Sequence, residues 1–159
     1  KRVGKNFPVF LHPTTKEEYA LARTEKKEGP GHRGFSTDTS KGITLEEDLA
    51  RRDFTINAIA KDSTGKIFDP FGGLQDIERK TLRHITDAFR DDPLRVLRGA
   101  RFSATLGFQI AEETQSLMLD MVKSGELKSL SVERIERELR LAIAGQHPNY
   151  FFEMIPIDP

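Results

Sequence analysis

Between residues 92 and 145, three stretches with helix start and stop signals follow one another, and nothing else in the sequence constrains the fold as much. Asp92 is a capping residue, Pro93 suits a first helical turn and Gly107 supplies a stop, so the first helix runs to about Leu106. The second covers roughly Glu112 to Lys123, with Leu117, Met118 and Met121 on one face. The third opens at Ser131, keeps Glu133 in its first turn and ends at Gly145. Its Ile135, Leu139, Ala142 and Ile143 follow the helical period. Tyr150 to Met154 adds an aromatic-apolar helical stretch that stops at Pro156. Everything beyond about residue 90 reads as helix.

Up to about residue 86 the signals are mixed. Phe7, Val9 and Leu11 alternate as a strand does, and Pro8 demotes that strand to an edge or a strand start. Tyr19 to Thr24 is a second strand candidate, and the glycine-rich run Glu28 to Thr39 reads as a loop. Thr44 and Glu47 form a capping box that opens a short helix, with Leu45 and Leu49 expected inward. Ile56 to Lys61 and Lys66 to Phe68, joined by Ser63-Thr64-Gly65, read as a hairpin. Gly72-Gly73 then precedes a short helix over Leu74 to Arg79. The fold class is α+β, a part-sheet followed by helices.

Composition narrows the function. The chain holds 25 Lys plus Arg against 25 Asp plus Glu, which excludes a bulk polycation but leaves room for a local basic stripe. With no cysteine there is no disulfide scaffold, thiolate metal site or cysteine nucleophile. No apolar run approaches the roughly 20 residues of a spanning helix, so no membrane is expected and the cytoplasm is the expected location. The four histidines are scattered without metal-ligand spacing and read as surface or turn residues. The chain opens on Lys1 and closes on Pro159, and both ends read as cuts through a larger protein.

Two runs could carry chemistry. The first is Arg51-Arg52-Asp53-Phe54-Thr55-Ile56-Asn57-Ala58. Two arginines at the end of a short helix suit its C-terminal dipole. Guanidinium forks also match phosphate oxygens bidentately, and Asn57 could meet a hydroxyl. The second is Asp91-Asp92-Pro93-Leu94-Arg95, continued by Arg98 and Arg101. Those three arginines fall within about 120° of one another on a helix, opposite Val96, Leu97, Ala100 and Ala104. A face of one sign repels itself unless something anionic meets it. Asp92 accepts hydrogen bonds and Arg95 donates them. Cytosine and adenine each present an amine beside a ring-nitrogen acceptor, whereas uracil and guanine reverse that order, so the pair could sort the two classes. An N-cap Asp paired with Arg95 explains the same residues. Glu133, Arg134, Glu136, Arg137 and Glu138 read as a helix face bridged to itself.

In this order, the Arg51–Ala58 run, Asp69-Pro70-Phe71-Gly72-Gly73 with Asp76, Asp91-Asp92-Pro93-Leu94-Arg95 and Arg98-Gly99-Ala100-Arg101-Phe102 closely resemble the class II tRNA nucleotidyltransferases (CCA-adding enzymes) and their sister family, the bacterial poly(A) polymerases. Val3-Gly4, Phe7 to Leu11 and Glu18 to Glu25 resemble the bacterial CCA-adding branch. The resemblance implies a partial polymerase-β-like head over residues 1–88, a helical neck over 89–128 and the start of a helical body over 129–159. It implies nucleotide-binding roles for Arg51, Arg52, Asp53 and Asn57, with Arg52 the nucleotide-binding arginine. It makes Asp92 and Arg95 the base-reading pair, directs Arg98 and Arg101 to the phosphates and makes Asp69 to Gly73 a hinge. The implied activity is addition of C, C and A to tRNA 3′ ends from CTP and ATP with Mg²⁺.

The family's first motif, which bears the two metal-binding aspartates, is expected before Val3 and is absent from this sequence. Those carboxylates hold Mg²⁺ between the attacking oxygen and the α-phosphate. The chain is therefore expected to carry no catalytic or metal residue and to be inactive alone. A sheet lacking its first strands would expose an edge, which predicts a strand-exchanged homodimer. Two alternatives stand beside this reading: a poly(A) polymerase segment using ATP only, and a non-catalytic fragment that binds nucleotide or RNA.

Overall fold

The computed structural model describes residues 2–3, 9–27 and 35–155, which divide into two compact units, 1–51 and 52–159. In the first unit β1 (Arg2–Val3), β2 (Val9–Leu11) and β3 (Glu18–Tyr19) form an antiparallel sheet in that order. Phe7 and Pro8, of the expected first strand, lie outside the described residues. The expected strand over Tyr19 to Thr24 is broken. Tyr19 ends β3 by pairing with Phe10, while Thr24 begins β4 (Thr24–Lys27), which pairs in a different sheet with β5 (Phe35–Asp38). The second half of the expected loop is thus a strand, and its partner rather than its own sequence makes it one.

α1 (Leu45–Ala50) carries the expected capping box. The Glu47 N–H donates to Thr44 Oγ1 at 3.2 Å and the Thr44 N–H to Glu47 Oε2 at 2.7 Å. The Thr44 bonds hold the exposed Glu47 carboxyl below its usual value. Leu49 is buried, but Leu45 is exposed, contrary to expectation, because it starts the helix at its solvent-facing entry.

In the second unit a 3₁₀ turn (Thr55–Asn57) precedes a hairpin of β6 (Ala60–Lys61) and β7 (Ile67–Phe68). α2 (Gly73–Glu78) follows. A Cβ at Gly73 would collide with the carbonyl oxygen of Thr55, so glycine alone lets α2 sit this close to the turn. Residues 87–91 form a second 3₁₀ turn. Then come α3 (Leu94–Leu106), α4 (Glu112–Lys123), a 3₁₀ turn over Glu126–Ser129, α5 (Val132–Ile143) and α6 (Asn149–Met154).

α3 stops where expected, at Gly107 with φ 68°. The helical half is not purely helical, however: β9 (Gln109–Ile110) pairs in parallel with β8 (Thr81–Leu82). Phe54, Leu82, Phe89, Val96, Leu117, Met118 and Met121 make one apolar cluster. Leu97, Ala100, Ala104, Ala142 and Phe151 make another, on the side of α3 where the helical period puts them. On α5 only Ala142 of the expected apolar set is fully buried, and Ile143 is exposed.

Candidate nucleotide site

The run after α1 is shaped by Phe54, which is fully buried and meets Phe89 and Phe102 edge-on at 5.5 and 5.8 Å. Anchoring that ring turns the backbone so that Asp53 and Asn57 face each other. Asp53 Oδ1 accepts the Phe54 N–H and the Asn57 side-chain amide, each at 2.9 Å, and Oδ2 accepts Arg98 Nε at 2.6 Å. Burial alone would raise this carboxyl, but the Arg98 charge and the Asn57, Arg98 and Phe54 hydrogen bonds outweigh it and hold the group below its ordinary value. Arg52 Nη1 donates to the Asn57 carbonyl at 2.7 Å. Behind the turn, Thr55 Oγ1 donates to buried Asp76 at 2.7 Å, and Arg83 Nε reaches the same carboxylate at 3.2 Å.

On α3 the arginine face meets partners from three segments. Arg95 Nη1 donates to the Ala88 carbonyl at 3.0 Å, Arg98 pairs with Asp53, and Arg101 Nε pairs with buried Glu138 at 2.6 Å. The Arg101 guanidinium also lies 3.8 Å from the Phe102 ring centroid. Asp92 Oδ1 accepts the Leu94 N–H at 3.1 Å and its Oδ2 accepts Arg134 Nη2 at 2.8 Å, while Pro93 rather than the expected Asp92 holds the N-cap position of α3.

The structure therefore joins Arg52, Asp53, Asn57 and Arg98 in one hydrogen-bonded group and ties Asp92 and Arg101 to α5. Arg51 belongs to a different arrangement, in the first unit, where it pairs with Asp48 at 2.6 Å and with Glu25 at 2.8 Å. Arg134 and Glu138, expected only as part of a helix face, and Asp76, expected only as part of the family motif, had been given no role in the site. The charged face of α5 is not bridged to itself as expected. Arg134 and Glu138 reach across to α3, and only Glu136 and Arg140 form an i,i+4 pair on the helix. The i,i+4 spacing of Arg134 and Glu138 was the available signal, since it puts both on one face.

His84 is half-buried rather than a surface residue, with Nδ1 2.7 Å from Thr114 Oγ1. Burial pushes its imidazole below the usual value, partly offset by Asp87. Among the described residues no group of three or more His, Asp or Glu side chains could hold a metal ion.

A family model described as "Poly A polymerase head domain" matches residues 3–83, more than half of the 159 residues. The chain belongs to the poly(A) polymerase head-domain family. A second model, "Probable RNA and SrmB- binding site of polymerase A", matches residues 107–155. Within this family, the Multifunctional CCA protein of Nitrosococcus oceani is 56% identical over 153 residues, 96% of this chain and 38% of the relative. The crystal structure of the Bacillus stearothermophilus CCA-adding enzyme in complex with CTP superposes with a TM-score of 0.79 at 33% identity, covering 97% of this chain and 38% of that one. A tRNA nucleotidyltransferase complexed with a primer tRNA and an incoming ATP analog gives 0.72 at 32% identity, covering 92% of this chain and 41% of that one. The chain spans about two-fifths of the length of the curated relatives it matches. Its mixed helix and small-sheet fold is that of the nucleotidyltransferase head and neck in CCA-adding enzymes, as the sequence resemblance implied.

Proposed function

We propose that this chain is the head–neck segment of a tRNA nucleotidyltransferase that adds C, C and A to tRNA 3′ ends from CTP and ATP. The head would span 1–88, the neck 89–128 and the start of the body 129–159. The observation that carries the reading is the Asp53–Arg98 bond, which joins the Arg52–Asn57 turn to α3, the helix that starts at Leu94 between Asp92 and Arg95.

In this reading Asp92 accepts the exocyclic amine of cytosine or adenine while Arg95 donates to the neighbouring ring nitrogen, and uracil and guanine are refused because they present the reverse order. Arg52, with Asp53 and Asn57, faces ribose and triphosphate. Arg98 and Arg101 keep guanidinium N–H groups beyond their carboxylate bonds for phosphate oxygens. The carboxylates that hold Mg²⁺ are assigned to the part of the parent protein outside this chain. The cytoplasm is the proposed location; no described helix is long and apolar enough to cross a membrane.

Substitution of Arg95 by Ala in the full-length parent is expected to abolish discrimination of CTP and ATP from UTP and GTP, read by single-nucleotide incorporation. Unchanged selectivity would remove the template assignment. A second reading, a poly(A) polymerase using ATP alone, shares the head-domain family but is less supported by the relatives, which are CCA proteins, and CTP incorporation by the parent would exclude it. The exposed Phe10, Tyr19 and Leu21 of the first unit support a strand-exchanged homodimer of the isolated chain. A concentration-independent monomer in analytical ultracentrifugation would count against it.

A further inference from the structure

α2 fully buries no apolar side chain. Its buried residues are Gly73 and Asp76, whereas Leu74 and Ile77 are exposed. Both buried positions meet one residue. Gly73 packs against the Thr55 carbonyl with no room for a Cβ, and Asp76 Oδ2 accepts the Thr55 hydroxyl at 2.7 Å. The start of the helix is held separately, since Asp69 accepts the Gly73 and Leu74 N–H groups at 2.7 and 2.9 Å.

Thr55 is itself buried and opens a 3₁₀ turn of three residues. The turn's own bonds run from the Asn57 N–H to the Phe54 carbonyl and from the Ala58 N–H to the Thr55 carbonyl, both at 2.9 Å. So short a turn, with the poor bond geometry of its class, does not hold itself. Thr55 closes a ring that does. Its N–H donates to the Arg83 carbonyl at 2.9 Å, its hydroxyl donates to Asp76, and Arg83 Nε returns to Asp76 at 3.2 Å. Backbone and side chain of one stiff, β-branched residue are thereby fixed together. Burying a carboxylate is a costly way to attach a helix, because an apolar side chain of similar volume is often as stable. What the carboxylate adds is direction, since a hydrogen bond holds the hydroxyl at one place.

We infer that Asp76 is a positioning residue of the nucleotide site: through Thr55 it sets the turn that presents Arg52, Asp53 and Asn57. The Asn57 carbonyl that accepts Arg52 belongs to that turn, so a rotation at Thr55 moves both residues. The inference deepens the proposed function and rests on that reading for what the turn contacts.

The test is steady-state incorporation by the full-length parent, of CTP on a tRNA transcript lacking its terminal CCA and of ATP on one lacking only the A. Tm is measured on the same samples and the assays are run well below it. Thr55→Val removes the hydroxyl at constant volume and is expected to raise the KM for CTP and for ATP by about 5–20-fold, with kcat within about threefold, because a displaced turn weakens contacts to the ribose and triphosphate that both nucleotides share. Thr55→Ser keeps the hydroxyl and should return both KM values to within about threefold of the parent. Asp76→Ala should raise KM by a similar factor, and adding Thr55→Val to it should bring no further loss, since both remove one contact. Gln75→Ala, on the exposed side of α2, should leave both constants within about twofold.

A lower Tm in Thr55→Val with both KM values unchanged would make the contact purely structural and overturn the inference. So would losses that add in the double variant, or a change confined to one nucleotide. If Asp76→Ala does not fold, the Thr55→Val and Thr55→Ser pair decides alone. A parent that incorporates neither CTP nor ATP would sink the proposed function and this inference with it, whereas incorporation with unaltered KM in Thr55→Val overturns the inference alone.

Discussion

The two units are held together by different means. In the first, the only buried side chains among the described residues are Asp48 and Leu49, while Phe10, Tyr19 and Leu21 are exposed on or beside short strands. Its fixed point is polar: Asp48 Oδ1 accepts the Arg23 N–H, and Arg51 bonds Asp48, Glu25 and the Arg23 carbonyl. The second unit has two apolar clusters around α3, with ion pairs laid over them. Ion pairs near water contribute little each, whereas buried aromatic and aliphatic side chains contribute several times more. The second unit should therefore outlast the first, and its ionic contacts set orientation more than stability.

That contrast can be broken most directly at Phe54. Phe54→Ala should cost about 3–5 kcal/mol in urea denaturation; a loss below about 1 kcal/mol would show that the apolar core is not what holds the second unit. Glu138→Ala leaves Arg101 without its buried carboxylate and should cost about 3 kcal/mol, a value that Glu138→Ala combined with Arg101→Met should partly restore. A smaller loss is expected on acidification. Because the folded Asp53 carboxyl lies below its ordinary value, the unfolded chain takes up the proton first as pH falls. Its stabilisation is complete above the ordinary carboxylate range and disappears as pH drops through the lower folded value. A Tm-against-pH curve that flattens in Asp53→Asn would verify this. In the first unit, Thr44→Ala removes the capping box and should cost about 1 kcal/mol, seen as an earlier loss of that unit's hydrogen-exchange protection. Arg140→Gln breaks only an exposed helix pair and should shift stability by about 0.3–0.5 kcal/mol, close to the resolution of a thermal melt.

What could be read from the sequence follows the same division between local and distant. α4 appears where expected because its signals are local: Leu117, Met118 and Met121 at helical spacing and Gly125 beyond its end. The stop of α3 at Gly107 and the Thr44–Glu47 box are local as well. β5 was hidden because Phe35 to Asp38 follows a glycine-rich run and becomes a strand only against Thr24 to Lys27. β9 was hidden because two residues between helices carry no period and depend on Thr81 and Leu82 far upstream. The site divides likewise. The arginine face of α3 was visible at a spacing of three, but its partners lie 45 residues away for Arg98 and 37 for Arg101. The link from Asp92 to Arg134 spans 42. No short-range rule links charges so far apart, and packing alone selects them.

The parallel pairing of β8 with β9 fixes a length as well as a contact. β9 begins three residues after α3 ends, so the pair lies at the foot of that helix, and residues 83–93 must climb back along it to reach its first turn. A 13-residue helix is about 20 Å tall, and this tether spans that height with Asp92 near its upper end. Removing one residue from the tether would shorten its reach by about 2 Å within its 3₁₀ turn and by about 3.4 Å in its extended part, comparable with the 2.8 Å bond between Asp92 and Arg134. The position of the Asp92 carboxylate above α3 is therefore calibrated by the count of residues that separate it from β8, and natural or engineered changes of length there should be felt first as a loss of register at the tip.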